Sequence, residues 1–328
     1  MELNQDTATQ KLACENIKKQ LKTLTKRLEG AKFAREIEDV HKVRVASRRL
    51  RAILRLFGDV YGQDKADSWQ KQLKKLLKGM SEARDLDAEI MFIEGVLSEI
   101  DYNSRRQIPG IRRALLRKQQ ARQKMQPKVA KAIKRFEEKN ILIDMHLETE
   151  RILFPIRNRE TAKISEPLLE RLRERIEPHK NDVLKKLSLL KDIQNSEGHH
   201  KLRIAVKKTR YCLEAADKAF EGSLSNTISK VKKFQTLLGD MHDRDVWKAG
   251  LENLINDEKE RTIEYFGSAK PFPRLLAGMQ TLKDKIESQR LQLYQQASEY
   301  AAVEVNEHFW NNIDEPFKNS AAESTPET

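Results

Sequence analysis

Apolar residues recur every three or four positions along almost the whole chain, which is the spacing of amphipathic helices rather than of strands. Leu12, Ile17, Leu21, Leu24 and Leu28 form the first such stripe and predict a helix over residues 8–29. A second is expected from Asp39, as N-cap, to Phe57, stopping at Gly58. Leu73, Leu76, Leu77 and Met80 mark a third over 64–80, and Ile90, Ile93 and Leu97 a fourth over 86–100. Pro109-Gly110 breaks the pattern, and a basic helical stretch then runs to residue 138, with Pro127 as a kink or restart. Residues 139–162 are ambiguous. From 165 the helical pattern resumes, with breaks expected at Gly198, Gly222, Gly239 and Gly267. Residues 319–328 are small and polar and read as a disordered tail. No segment alternates as a strand would, so the fold class is all-α.

The chain repeats itself. His41-Lys42-Val43-Arg44-Val45-Ala46-Ser47-Arg48-Arg49-Leu50-Arg51 aligns with His200-Lys201-Leu202-Arg203-Ile204-Ala205-Val206-Lys207-Lys208-Thr209-Arg210 at an offset of 159, from 200 − 41. Ser81-Glu82-Ala83-Arg84-Asp85-Leu86-Asp87 aligns with Gly239-Asp240-Met241-His242-Asp243-Arg244-Asp245 at 158, from 243 − 85. Lys74 and Lys75 fall opposite Lys232 and Lys233 in the same register. The offset is close to half of 328 residues, so the repeat spans nearly the whole chain. Two helical halves are expected, residues 1–160 and 161–318, each resembling a four-helix bundle and related by an approximate two-fold axis.

Composition then narrows the chemistry. There are 63 Lys and Arg against 50 Asp and Glu, a net charge of +13. A polyanionic partner follows from that excess, though not its identity. No apolar run is long enough to span a bilayer, and the first residues lack a signal peptide, so a cytoplasmic location is expected with no membrane partner. Two cysteines, Cys14 and Cys212, cannot build a disulfide framework or a four-thiolate zinc site.

The repeated helices place their charge with order. At about 100° per residue, Arg44, Arg48, Arg51 and Arg55 fall within about 60° of one another, close to His41. Val43, Ala46, Leu50, Ile53, Leu54 and Phe57 occupy the opposite side. The second copy repeats the ridge with His200, Arg203, Lys207 and Arg210, and ends earlier because Glu214 stands opposite Arg55. Neither block, 41–55 or 200–213, contains an Asp or Glu. Like charges three and four residues apart repel by a few tenths of a kcal/mol per pair. Neutralising acids from elsewhere or a bound anion would offset that cost, and a plain solvated face is the bland alternative. Metal binding fits poorly, because His41 has no ligand-type neighbour in its motif and the surrounding arginines oppose a divalent cation. No metal and no cofactor is expected. Asp85, Asp87, Asp243 and Asp245 have a D-x-D spacing but sit where new helices should begin, so N-capping is their expected role.

Residues 102–136 hold twelve Lys or Arg and no acid. Arg113, Arg117 and Lys124 share one face there with Lys128, Lys131 and Arg135. With Lys18, Lys22 and Lys26 of the first helix, and with Lys74 and Lys232, they are candidates to extend the ridges into a longer basic track.

The duplicated H-x-x-R-x-x-x-[RK]-[RK]-x-R helix, followed about 40 residues on by a small-residue-x-x-x-D turn, resembles the CHAD family, the conserved histidine α-helical domain. The resemblance covers residues 9–310. It implies two four-helix-bundle-like halves with pseudo-two-fold symmetry around a basic central groove or pore, binding of inorganic polyphosphate there, and association with polyphosphate granules. The family's histidine and basic positions map onto His41, Arg44, Arg48, Arg51, His200, Arg203, Lys207 and Arg210. Departures are Ser81 where the family usually has Gly, Thr209 opposite Leu50, and Glu214. The E-x-E-x-K signature of the triphosphatase domain that some relatives carry is absent.

Non-enzymatic polyphosphate binding is therefore the leading expectation. Weaker nucleic-acid binding in the same groove is the alternative, disfavoured because no aromatic lies on either ridge and Tyr211 only sits beside one. Catalysis would call for a phosphate-cradling Gly loop or acidic metal ligands, and neither accompanies the ridges. The oligomeric state stays open.

Overall fold

The computed structural model describes residues 6–159, 164–313, 315 and 317. The expected tail, 319–328, lies outside them. Every regular element among the described residues is helical. The main ones are α1 (Thr7–Phe33), α2 (Ile37–Phe57), α3 (Gln63–Gly79), α4 (Ser81–Ser98), α5 (Ile108–Glu137), α6 (Ile141–Leu153), α7 (Glu166–Leu187), α8 (Ser196–Ala216), α9 (Ser225–Phe266), α10 (Pro273–Val303) and α11 (Glu307–Asn311). The ambiguous stretch after residue 139 thus contains α6. No described helix is long and apolar enough to cross a membrane.

Several boundaries differ from expectation for physical reasons. Asp39 does not cap α2. The cap is the extended residue Glu36, and Asp39 lies inside the first turn, 3% exposed. There it accepts a hydrogen bond from Arg27 Nη1 at 2.9 Å. A carboxylate in the first turn still meets the positive end of the helix dipole, so the position suits it in either role. Gly30 on α1 leaves the space, since a Cβ there would collide with the Asp39 carboxyl.

Asp85, Asp87, Asp243 and Asp245 do not cap helices either. The first two lie within α4, and the second two lie in the middle of α9. Gly239 does not break α9, which runs unbroken for 42 residues. One interior glycine costs only about 1 kcal/mol relative to alanine, less than a well-packed turn returns. Asp87 and Asp245 instead accept hydrogen bonds from Arg122 Nε at 2.6 Å and Arg290 Nε at 3.0 Å. Pro127 likewise does not restart a helix: α5 continues through it. Its lost backbone bond is tolerated because Val129, Ile133 and Phe136 bury their side chains in the turns that follow. Gly198 begins rather than ends α8, its N–H donating to the Asn195 side chain at 2.8 Å.

The chain forms two compact units. Among the described residues, the first takes those of 6–80, 128–235 and 300–317, and the second takes 81–127 and 236–299. Each unit draws on both halves of the sequence repeat. In the first, α2 packs on α1, α3, α7 and α8, burying Leu50, Ile53, Leu54 and Phe57. Burial of each such side chain stabilises by about 1.5–3 kcal/mol. Cys14 and Cys212 belong to this core, where burial lifts each thiol to about 11. The second unit has its own core of Ile93, Val96, Ile111, Trp247, Leu251, Met279, Leu282 and Ile286. Here α5 and α10 cross so closely at Gly110 and Gly278 that a Cβ on either would strike the other's backbone.

Candidate functional site

The apolar stripe of α2 fixes which way its cations face. Val43, Ala46 and Leu50 are buried, and so are Leu202, Ala205 and Val206 of α8. The two helices pack on each other within the first unit, and their basic positions meet. Lys207 registers this most clearly. Its pKa falls from 10.5 to about 7, by burial first and then by the positive fields of Arg203, Arg48, Arg44 and Lys208. Two of those neighbours come from α2 and two from α8. Burial, followed by Arg203 and Lys207, also depresses His200. Toward the other end of the ridge, burial and Arg55 lower Arg51.

The cations differ in how firmly they are held. Arg44 is 6% exposed and donates from Nη1 to the Leu77 carbonyl at 3.1 Å, so part of its fork is committed to α3. Arg48, Arg51, Arg203 and Lys207 are half-buried. Among the described residues no ion pair involves Arg48, Arg51, Arg55 or Lys207. The Nε atoms of Arg51, Arg55 and Arg210 are buried without a hydrogen-bond partner. Such donors normally find an acceptor, and each left unmade costs about 1–3 kcal/mol. Arg210 stands apart: it is largely buried, lies 3.4 Å from Glu214, and stacks its guanidinium 4.7 Å from the Tyr211 ring centre. Glu214 also accepts from Arg49 Nε at 3.0 Å. The acid that shortens the second ridge in the sequence therefore neutralises that end of it. Thr209, where the first copy has Leu50, is fully buried and donates to the Ala205 and His179 carbonyls.

Lys22, Lys74 and Lys232 belong to the same unit as the ridges and are exposed. Lys232 lines a cavity of about 400 Å³ with Lys19, Arg49 and Asp217. Arg113, Arg117 and Lys124 belong to the second unit. Arg117 Nε donates to Glu258 at 2.5 Å, and Arg113 Nη1 lies 3.5 Å from the same carboxylate. The two ridges are legible as a repeated motif that includes Lys208, whereas His179 lies outside it. His179 sits on α7, where burial, Arg55 and Lys208 lower its pKa. No spacing within the repeat could have found it. Among the described residues no group of three His, Cys, Asp or Glu side chains is placed to hold a metal ion.

The family model of the CHAD domain matches residues 15–252, most of the chain. The chain belongs to the CHAD family. In three dimensions this CHAD chain is similar to the crystal structure of the CHAD domain from the plant Ricinus communis, with a TM-score of 0.57 and 21% identity. The match covers 90% of this chain and 94% of the plant domain, and at that identity it speaks for the shared fold. None of the curated proteins compared with the chain matches it.

Proposed function

We propose that the ridges of α2 and α8 bind inorganic polyphosphate without catalysing its breakdown, at polyphosphate granules in the cytoplasm. Polyphosphate binding is a general property of the CHAD family. The observation that carries the reading is the packing of α2 on α8, which gathers cations of both helices around Lys207; burial first, and then Arg203, Arg48, Arg44 and Lys208, push that amine down to about 7. A folded protein gains nothing from holding buried like charges together; an anion between them turns the same arrangement into attraction. His41, Arg44, Arg48, Arg51, His200, Arg203 and Lys207 supply the contacts. Arg forks match pairs of non-bridging phosphate oxygens, and Lys acts as a point charge. Lys22, Lys74 and Lys232 add exposed charge, and Arg210 holds the end of the ridge against Glu214. Counterion release supplies much of the affinity, with a log–log salt slope of roughly −4 for six neutralised phosphates, by analogy with single-stranded nucleic acid. The ridges carry no carboxylate to hold a metal or activate water, which supports binding rather than hydrolysis.

The test is a titration of labelled long-chain polyphosphate at 0.15 M salt against single-stranded DNA, duplex DNA and RNA as competitors (about 0.15 M being physiological). Polyphosphate should win over every nucleic acid, and Arg48→Gln with Lys207→Gln should weaken it at least tenfold. A folded double variant that binds polyphosphate like the parent overturns the site. Equal competition from all polyanions overturns the specificity.

A further inference from the structure

The second compact unit contains a separate cavity of about 930 Å³, where the first half of α5, the end of α9 and the start of α10 come together. Arg113 and Arg117 of α5, Arg261 of α9 and Arg274 of α10 line it. Glu258, 2% exposed, is also among its lining residues. Burial alone would raise this carboxyl's pKa, but hydrogen bonds from Arg117 and Arg261 outweigh it and hold the group ionised. Arg117 Nε reaches it at 2.5 Å, Arg261 Nη1 at 2.7 Å, and Arg113 Nη1 stands at 3.5 Å. One buried anion thus orients three guanidiniums. Each has five N–H donors, so most of the donors remain for something else. Counting Arg274 and Glu264, the lining carries four cations and two acids, a net charge of +2 from 4 − 2.

The same lining carries two aromatic residues at the end of α9. Tyr265 is 82% exposed and Phe266 60% exposed, with ring centres 4.8 Å apart and planes at 79°. They occupy the last turn of α9, which stops at Gly267 in the left-handed region at φ 66. Neighbouring arginines and open aromatic faces are the combination that the ridges lack. It is what stacking a planar base while holding its phosphate demands. The volume falls within the usual range for sites of small organic ligands.

We propose that this cavity binds a nucleoside phosphate, its base against Tyr265 or Phe266 and its phosphates on Arg113, Arg261 and Arg274. Glu258 positions the arginines and touches no part of the ligand. The site does not depend on the ridges being a polyphosphate site.

Calorimetric titration of the full chain with ATP, AMP and tripolyphosphate tests it, using three variants. Tyr265→Ala with Phe266→Ala removes two exposed rings and leaves the core alone. It should weaken ATP about tenfold, as loss of one stacked base predicts, and change tripolyphosphate less than about threefold. Arg261→Gln with Arg274→Gln should weaken ATP and AMP alike, with helical content checked by circular dichroism. Arg48→Gln with Lys207→Gln should leave ATP within about twofold of the parent, whether or not it affects polyphosphate. No ATP binding at millimolar concentration overturns the proposal. So does ATP binding that survives loss of both rings, or that is lost only in the ridge variant, because the phosphates then sit elsewhere and no base is read.

Discussion

The ridges of α2 and α8 and the first half of α5 look alike as strings of letters, since both are dense in Lys and Arg and free of acids. Their surroundings differ. On α5, distant acids come back to meet the cations: Lys118 pairs with Glu89 at 2.7 Å, Arg122 with Asp87 at 2.6 Å and Arg117 with Glu258 at 2.5 Å. On the ridges, the groups that act on Lys207 besides burial are further cations, while Arg210 at one end meets an acid, Glu214. A basic run is therefore not a measure of available charge. What counts is whether the fold returns carboxylates to it. A cation matched one to one with a carboxylate, as Lys118 and Arg122 are, has less charge to offer than cations that repel one another or that share a single acid.

That contrast can be broken by exchanging charges. The largest effect is expected from Arg48→Glu with Lys207→Glu, which should cost roughly 100- to 1000-fold in polyphosphate affinity at low salt, through lost contacts and added repulsion. Filter binding or anisotropy measures it. Next comes Arg122→Ala. It leaves Asp87, 3% exposed, without its guanidinium and should cost about 3 kcal/mol of stability by urea unfolding, while polyphosphate affinity moves less than about threefold. If Arg122→Ala instead abolished binding with stability intact, the contrast between the two regions would be wrong.

A subtler effect concerns the free protein. Lys207 has a folded pKa of about 7 against 10.5 in the unfolded chain. Below pH 7 both states hold the proton, and the cost of the buried charge is present in full. Between 7 and 10.5 the unfolded chain binds more protons, so stability rises with pH across that window. Lys207→Met should therefore stabilise the ligand-free protein by about 1 kcal/mol at pH 6, an advantage that fades by pH 10.5. Thermal melts at several pH values would show it. The smallest effect is on proton balance. At pH 8, polyphosphate should restore a proton to Lys207, an uptake of up to about one per site, read from calorimetry in buffers of different ionisation heat. Release of protons on binding would contradict the role given to this lysine.

The all-helical class and the two cationic stripes are legible in the sequence, because a 3.6-residue period marks the buried face and the remaining charges must lie elsewhere. The apolar sides of α2 and α8 are buried as that period requires. The Asp-x-Asp segments are not legible in the same way. A short acidic motif after a glycine looks like a cap, and only the tertiary partners Arg122 and Arg290 reveal its work inside a helix. Nor could the sequence show that Glu258 gathers arginines from 141 residues away in the chain, the separation between it and Arg117. Nothing local marks such a pairing, since its energy comes from burial that the fold creates. His179 escaped for the same reason.

The interleaving of the two units bears on how the protein is made. Residues 1–80 hold α1, α2 and α3, yet the core they join is completed by Trp310, Ile313 and Phe317, whose ring meets Phe220 at 4.9 Å. A ribosome must therefore finish residues 236–299, which belong to the other unit, before the first unit can close. At about 5–20 residues per second this leaves Phe220 and the face of α7 that α11 covers waiting roughly 4–16 s after residue 235 is added. During that interval this apolar surface is the part of the first unit most in need of a chaperone.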